Sequence, residues 1–228
     1  FALPILPTTI LLAFRGLPSR SSSRQMSPDA ESNPSLKLIF QNRSTVACLA
    51  GDTLRSAAFV AVVLYSTSFF RQRFLVPTNY ASIILLAGAL SFVLGSLSTG
   101  PFVKRIGRKP STVLTALFAG IFTALYVLIP NVWISLVLLL IASWFFGMVA
   151  SSANSLTLEQ IPKLRGTLMS IDTAVLNVGS ALGSTVGGLA LLYSGYEALG
   201  IVLGAIGIAA SLVIYLLAKD PTRCYGNR

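Results

Sequence analysis

The chain has 228 residues, 54% of them hydrophobic and 11% charged, and its mean hydropathy of +0.77 does not suit a water-facing surface. That composition defines an integral membrane protein. The formal charge of +10, from 17 Lys and Arg against 7 Asp and Glu with no His, is not a nucleic-acid signal: no isolated basic domain exists, and the cations stand at the ends of apolar runs, where they face anionic lipid headgroups.

Residues 1–14 are apolar but only about 21 Å long as a helix, against a hydrocarbon core of about 30 Å. They read either as the end of a preceding transmembrane helix or as a signal or transit segment. Because Arg15, Arg20 and Arg24 follow the apolar stretch, where a signal's charges would precede it, the expectation is the end of a preceding helix. Residues 15–44 then form a cytoplasmic linker, rich in Ser and carrying Pro18, Pro28 and Pro34, with too few apolar side chains for a core. Within it, Ser35 to Asn42 is a candidate for a short amphipathic helix on the membrane surface.

From Thr45 onward, apolar runs fall at about 45–70, 81–103, 112–129, 132–158, 167–192 and 198–218, each long enough to span. Pro77, Asn79, Pro110, Pro130, Asn131, Pro162, Gly166, Ser194 and Gly195 punctuate them. The expected fold is an all-α membrane protein, a six-transmembrane-helix bundle over 45–218 with a cytoplasmic tail at 219–228. Lys and Arg gather in the linker, in 104–109, at Lys163 and Arg165 and in the tail; only Arg71 and Arg73 fall on the opposite side, and Arg55 lies inside the first span. That asymmetry makes the linker and the C-terminus cytoplasmic. Cys48 and Cys224 form no metal or disulfide pattern.

Charges within spans cost about 2.5 to 3.5 kcal/mol each at a helix centre and need a partner or water. In the first span Asp52 and Arg55, at i, i+3, can pair with each other and, with Ser56, mark an inward face. Two readings stay open: a structural pair, or a part in proton or substrate coupling. After the second span, Gly100-Pro-Phe-Val-Lys-Arg-Ile-Gly-Arg-Lys109 puts four cations (Lys104, Arg105, Arg108, Lys109) into six residues; Gly107 allows a tight reversal and Pro110 starts the next run from a fixed φ. In the fourth span Ser143, Gly147, Ser151 and Asn154 line up with Trp144 beside them. In the fifth, Gly179, Gly183 and Gly187 form a small-residue stripe and Thr173, Asn177, Ser180 and Ser184 a polar one. The polar faces serve either interhelical hydrogen bonds or a water-filled pathway in a common interior. Asp172 lies about two turns inside the cytoplasmic end of the fifth span, on the side of its glycines.

The stretch Gly100 to Lys109 resembles the signature loop of the major facilitator superfamily: Gly, three residues, an acid, a basic residue, any residue, Gly, two basic residues. Nine of the ten positions are compatible, and the departure is Lys104 in place of the acid. Glu159-Gln-Ile-Pro-Lys-Leu-Arg-Gly166, two spans later, resembles the family's acid-to-Pro-to-Arg-Gly loop, and Thr167-Leu-Met-Ser with Asn177-Val-Gly179 is most similar to the second half of a proton-coupled multidrug or sugar efflux member. The resemblance covers roughly residues 1 to 220. It implies the C-terminal half of a secondary active transporter working by alternating access in a plasma membrane, with no enzymatic activity and no cofactor. The implied partners are a small-molecule substrate, protons, the lipid bilayer, and an N-terminal six-helix half upstream or a second copy; uptake of a sugar or organic anion, or a non-transporting six-span scaffold, are the alternatives. No His, metal-spaced Cys cluster, Walker loop or nucleophile elbow points elsewhere. The expected pathway residues are Asp52, Arg55, Ser151, Asn154, Thr173, Asn177, Ser180 and Ser184. The expected cytoplasmic gate comprises Gly100, Lys104, Arg105, Gly107, Arg108, Lys109, Glu159, Arg165 and Asp172, with Arg108 on Glu159 and Lys104 on Asp172.

Overall fold

The computed structural model describes residues 39–218. The expected end of a preceding helix at 1–14, most of the linker, and the tail with Cys224 lie outside them. Five long helices follow one another: α1 (Arg43–Arg73), α2 (Thr78–Ile106), α3 (Arg108–Leu128), α4 (Val132–Gln160) and, after a 3-10 turn at Pro162–Leu164, α5 (Arg165–Leu217). Each is long and apolar enough to cross a membrane.

The sixth expected span is present, set off from the fifth by a break at Gly195. It is the second limb of α5, whose 53 residues would reach about 80 Å if straight, far beyond a core of about 30 Å. The chain turns at Gly195, where φ 75° and ψ −166° lie outside the helical region and in territory open mainly to glycine. Packing shows the reversal. On the first limb, Gly179, Gly183 and Gly187 face Thr53, Ala57 and Tyr65 of α1 in ascending order; on the second, Gly200, Gly204 and Gly207 face Val127, Ala124 and Gly120 of α3 in descending order. Five helices thus make six crossings.

Local chemistry sets the ends. Asn42 accepts from the Ser44 N–H at 3.1 Å to cap α1, and Asn131 accepts from the N–H groups of Trp133 and Ile134 at 3.0 and 3.4 Å to cap α4. Gly107, at φ 98°, is the whole connection between α2 and α3. α3 begins at Arg108, ahead of Pro110, which the first helical turn tolerates because its N–H groups have no partner inside the helix. Ile39, in the segment expected to lie on the membrane surface, is instead fully buried against Leu49, Ile161 and Leu168.

The core runs along α1, through Ala58, Ala61, Val62, Phe69 and Phe70, to Tyr126 of α3, Phe146 and Val149 of α4, and Leu199 and Leu203 of α5. At the α1 end remote from the cation loop, Phe69 is ringed by Phe70, Phe74, Tyr126 and Tyr196, with centroids at 5.3, 5.6, 5.6 and 5.4 Å in edge-on contacts favoured by the aromatic quadrupole. By contrast α2 buries only Ala81, Gly95 and Thr99.

Candidate transport site and cytoplasmic gate

One helical turn of α1 brings Asp52 and Arg55 together. Arg55 Nε donates to Asp52 Oδ1 at 3.1 Å, with the two side chains 8% and 1% exposed. Thr157 of α4 donates its hydroxyl to the other oxygen, Oδ2, at 3.2 Å. Asp172 of α5 joins this pair: it is 5% exposed, interacts electrostatically with both Asp52 and Arg55, and its Oδ1 has no hydrogen-bond partner. Geometry explains why. Residues 172 and 179 stand i, i+7 on one face, and that face is drawn onto α1, because a Cβ at Gly179 or Gly183 would collide with the carbonyl oxygen of Thr53 or Ala57.

That placement corrects the expected contact between Lys104 and Asp172. Lys104 is exposed in the last turn of α2, and the ion pairs among the described residues are Arg55 with Asp52, Arg73 with Glu197, and Arg108 with Glu159. Arg108 pairs with Glu159 and also donates to the Ser155 carbonyl at 3.4 Å, tying the start of α3 to the end of α4. Lys109 lies over the Tyr215 ring at 5.7 Å. Arg105 and Arg165 are exposed, and at Gly100 a Cβ would meet nothing within 4 Å.

The two polar stripes do not share one interior. The α4 stripe is a seam with α2: Ser151 and Ser96 hydroxyls are 2.5 Å apart, a Cβ at Gly147 would strike the Phe92 carbonyl, and one at Gly95 the Trp144 carbonyl. Asn154 keeps a buried carbonyl oxygen without a partner. On α5, Ser180 meets Ser56 of α1 at 3.0 Å, and Ser184 bonds back to the Ala181 carbonyl at 2.9 Å, while Thr173 and Asn177 are exposed. Close approach of backbones explains the difference: small hydroxyl residues satisfy themselves on the neighbouring helix or on the preceding turn of their own.

Sequence reasoning missed three features. Thr157 is a third partner in the charged cluster, and an apolar run gave no sign of it. A cavity of about 360 Å³ lies between α1, α2 and α4, walled by Phe59, Phe92 and Leu139 and touched by the hydroxyls of Ser66 and Ser143; the Phe59 and Phe92 rings stand 4.9 Å apart. At the far end of α1, Arg73 reaches Glu197 at 3.4 Å, just past the Gly195 turn; the pairing could not be seen before the reversal placed them together. Among the described residues no group of His, Cys, Asp and Glu is arranged to hold a metal ion.

Five long apolar helices making six crossings, with a charged cluster enclosed among them, define a multi-pass α-helical membrane protein. The chain belongs to the Major Facilitator Superfamily, which it matches over residues 5–225, and so to a family of membrane transporters. It is similar to the gallate transporter of Pseudomonas putida, 21% identical over 146 residues that cover 64% of this chain and 32% of that protein. The chain thus matches about a third of that relative's length.

Proposed function

We propose that the chain is one half of a secondary active transporter that exports a small molecule, of drug or sugar type, in exchange for protons by alternating access at the plasma membrane. The observation that carries this reading is the enclosed cluster of Asp52, Arg55, Thr157 and Asp172. A second enclosed carboxylate beside an ion pair is more than a minimal structural pair, and ionisable groups at such depth mark ion pathways. The exposed Thr173 and Asn177 would line the route, and the Arg108 and Glu159 pair would help to close the cytoplasmic side. The linker, the 104–109 loop and the tail would face the cytoplasm, so cysteines introduced there should label from that side only.

The test uses inside-out vesicles containing the full-length protein and an imposed proton gradient. Accumulation of neutral, apolar fluorescent probes that a protonophore abolishes is the expected result; accumulation unaffected by the protonophore would contradict proton exchange. A second reading, uptake of an organic anion, is favoured by the similarity to a gallate transporter, and proton-stimulated entry of an aromatic acid into intact cells would select it. A non-transporting scaffold would tolerate Asn177→Leu, whereas a transporter should lose flux with folding intact.

A further inference from the structure

Charge does not balance inside the bundle. Asp52 is engaged by Arg55 on one oxygen and Thr157 on the other, while Asp172, almost completely enclosed, shares a side-chain hydrogen bond with Asp52 and its Oδ1 receives nothing. The titratable and charged groups that face this point come from every neighbouring helix. α1 supplies Cys48, Asp52 and Arg55, and Lys109 of α3 acts on Cys48 while its amine lies over the Tyr215 ring. α4 supplies only the hydroxyl of Thr157. With both carboxylates ionised, the enclosure would hold one uncompensated negative charge, which a protein interior strongly disfavours. A metal ion would need more ligands than stand here. A proton needs one oxygen, and Asp172 offers it.

We propose that Asp172 is the carboxylate of this chain that binds and releases the transported proton. This rests on the proton-exchange reading above. A proton from water adds to a carboxylate oxygen of Asp172 to give the neutral acid, and returns to water on release; no other bond changes. In the loaded state Arg55 belongs to Asp52 alone; in the unloaded state two carboxylates compete for it, and the competition supplies a difference between states without moving the glycine-locked helices. Thr173, the next residue, is exposed.

Infrared difference spectroscopy of the reconstituted full-length protein through a pH titration reads the acid directly, as the carbonyl stretch of a protonated carboxyl group. The wild type should show one such band, growing as pH falls. Asp172→Asn should remove it, and Asp172→Glu, which keeps the acid, should shift its frequency without loss; Glu159→Gln should leave it unchanged. A band that ignores both changes at position 172, a band abolished by Glu159→Gln, or no titrating band in the wild type overturns the assignment. Transport in the same vesicles separates the two claims: proton-dependent flux with the band elsewhere refutes Asp172 only, whereas proton-independent flux refutes the exchange reading whatever the spectrum shows.

Discussion

Helices α1 and α2 are neighbours of similar hydropathy, 1.6 and 2.0 over their most apolar windows, yet 61% of that window is buried in α1 and 11% in α2. Lipid is as apolar as leucine, so hydropathy marks a crossing without saying what surrounds it. Residue size says more. α1 turns Ala47, Gly51, Ser56, Ala57, Ala58 and Ala61 toward its neighbours and admits their backbones closely, whereas α2 points Ile83, Leu86, Leu90, Leu94 and Leu97 away from the bundle. Its close seam with α4 runs through Ser91, Gly95, Ser96 and Thr99. The small residues of α1 also create the enclosure in which Asp52 and Arg55 survive.

The contrast can be broken most severely at Arg55. Arg55→Leu leaves two enclosed carboxylates without their cation and should cost about 3 to 5 kcal/mol, seen as a lowered unfolding temperature of the purified protein. The same change at Arg105, exposed in the last turn of α2, should leave that temperature nearly unmoved. Next comes the α1 seam: Gly183→Val forces side-chain atoms into the Ala57 backbone and should cost about 1 to 3 kcal/mol, while Gly100→Val meets open space and should be neutral in the same assay. On α2 the effects are smaller. Ser151→Ala should lose about 0.6 kcal/mol from the Ser96 contact, and Leu90→Ala, on the outward face, should change stability by less than about 0.5 kcal/mol. The smallest concerns the loop: the pair of Arg108 and Glu159, partly exposed, is worth about 0 to 1 kcal/mol. Arg108→Glu should therefore alter the accessibility of this end of the bundle to thiol reagents more than folding, and adding Glu159→Arg should restore it.

Much of this architecture is legible in sequence because crossings depend on run length and punctuation, which are local. The six runs and the Gly107 reversal are of that kind. Gly195 was read as a break, but that the helix continues on both sides with a single residue turning it is a matter of φ and ψ, which composition does not report. The cluster was half legible: Asp52 and Arg55 share one helix, so their spacing reveals the pair. Asp172 was placed on the correct face of its helix, yet assigned to Lys104, because loop cations are conspicuous in sequence and a seam of glycines against a distant helix is not. The stripe on α4 misled for a related reason. Serines at helical spacing look alike whether they face water or another backbone, and only the collision of Gly147 with Phe92 distinguishes the two.

The central claim, that the charged cluster couples proton movement to transport, is tested most directly by the pH dependence of flux in vesicles carrying the full-length protein with Asp52→Asn. With Asp52 neutral, Arg55 is free to hold Asp172 ionised, so flux should lose most of its dependence on pH while the amount of folded protein changes far less. A pH profile that coincides with the wild type would make Asp52 and Arg55 a structural pair and contradict the coupling.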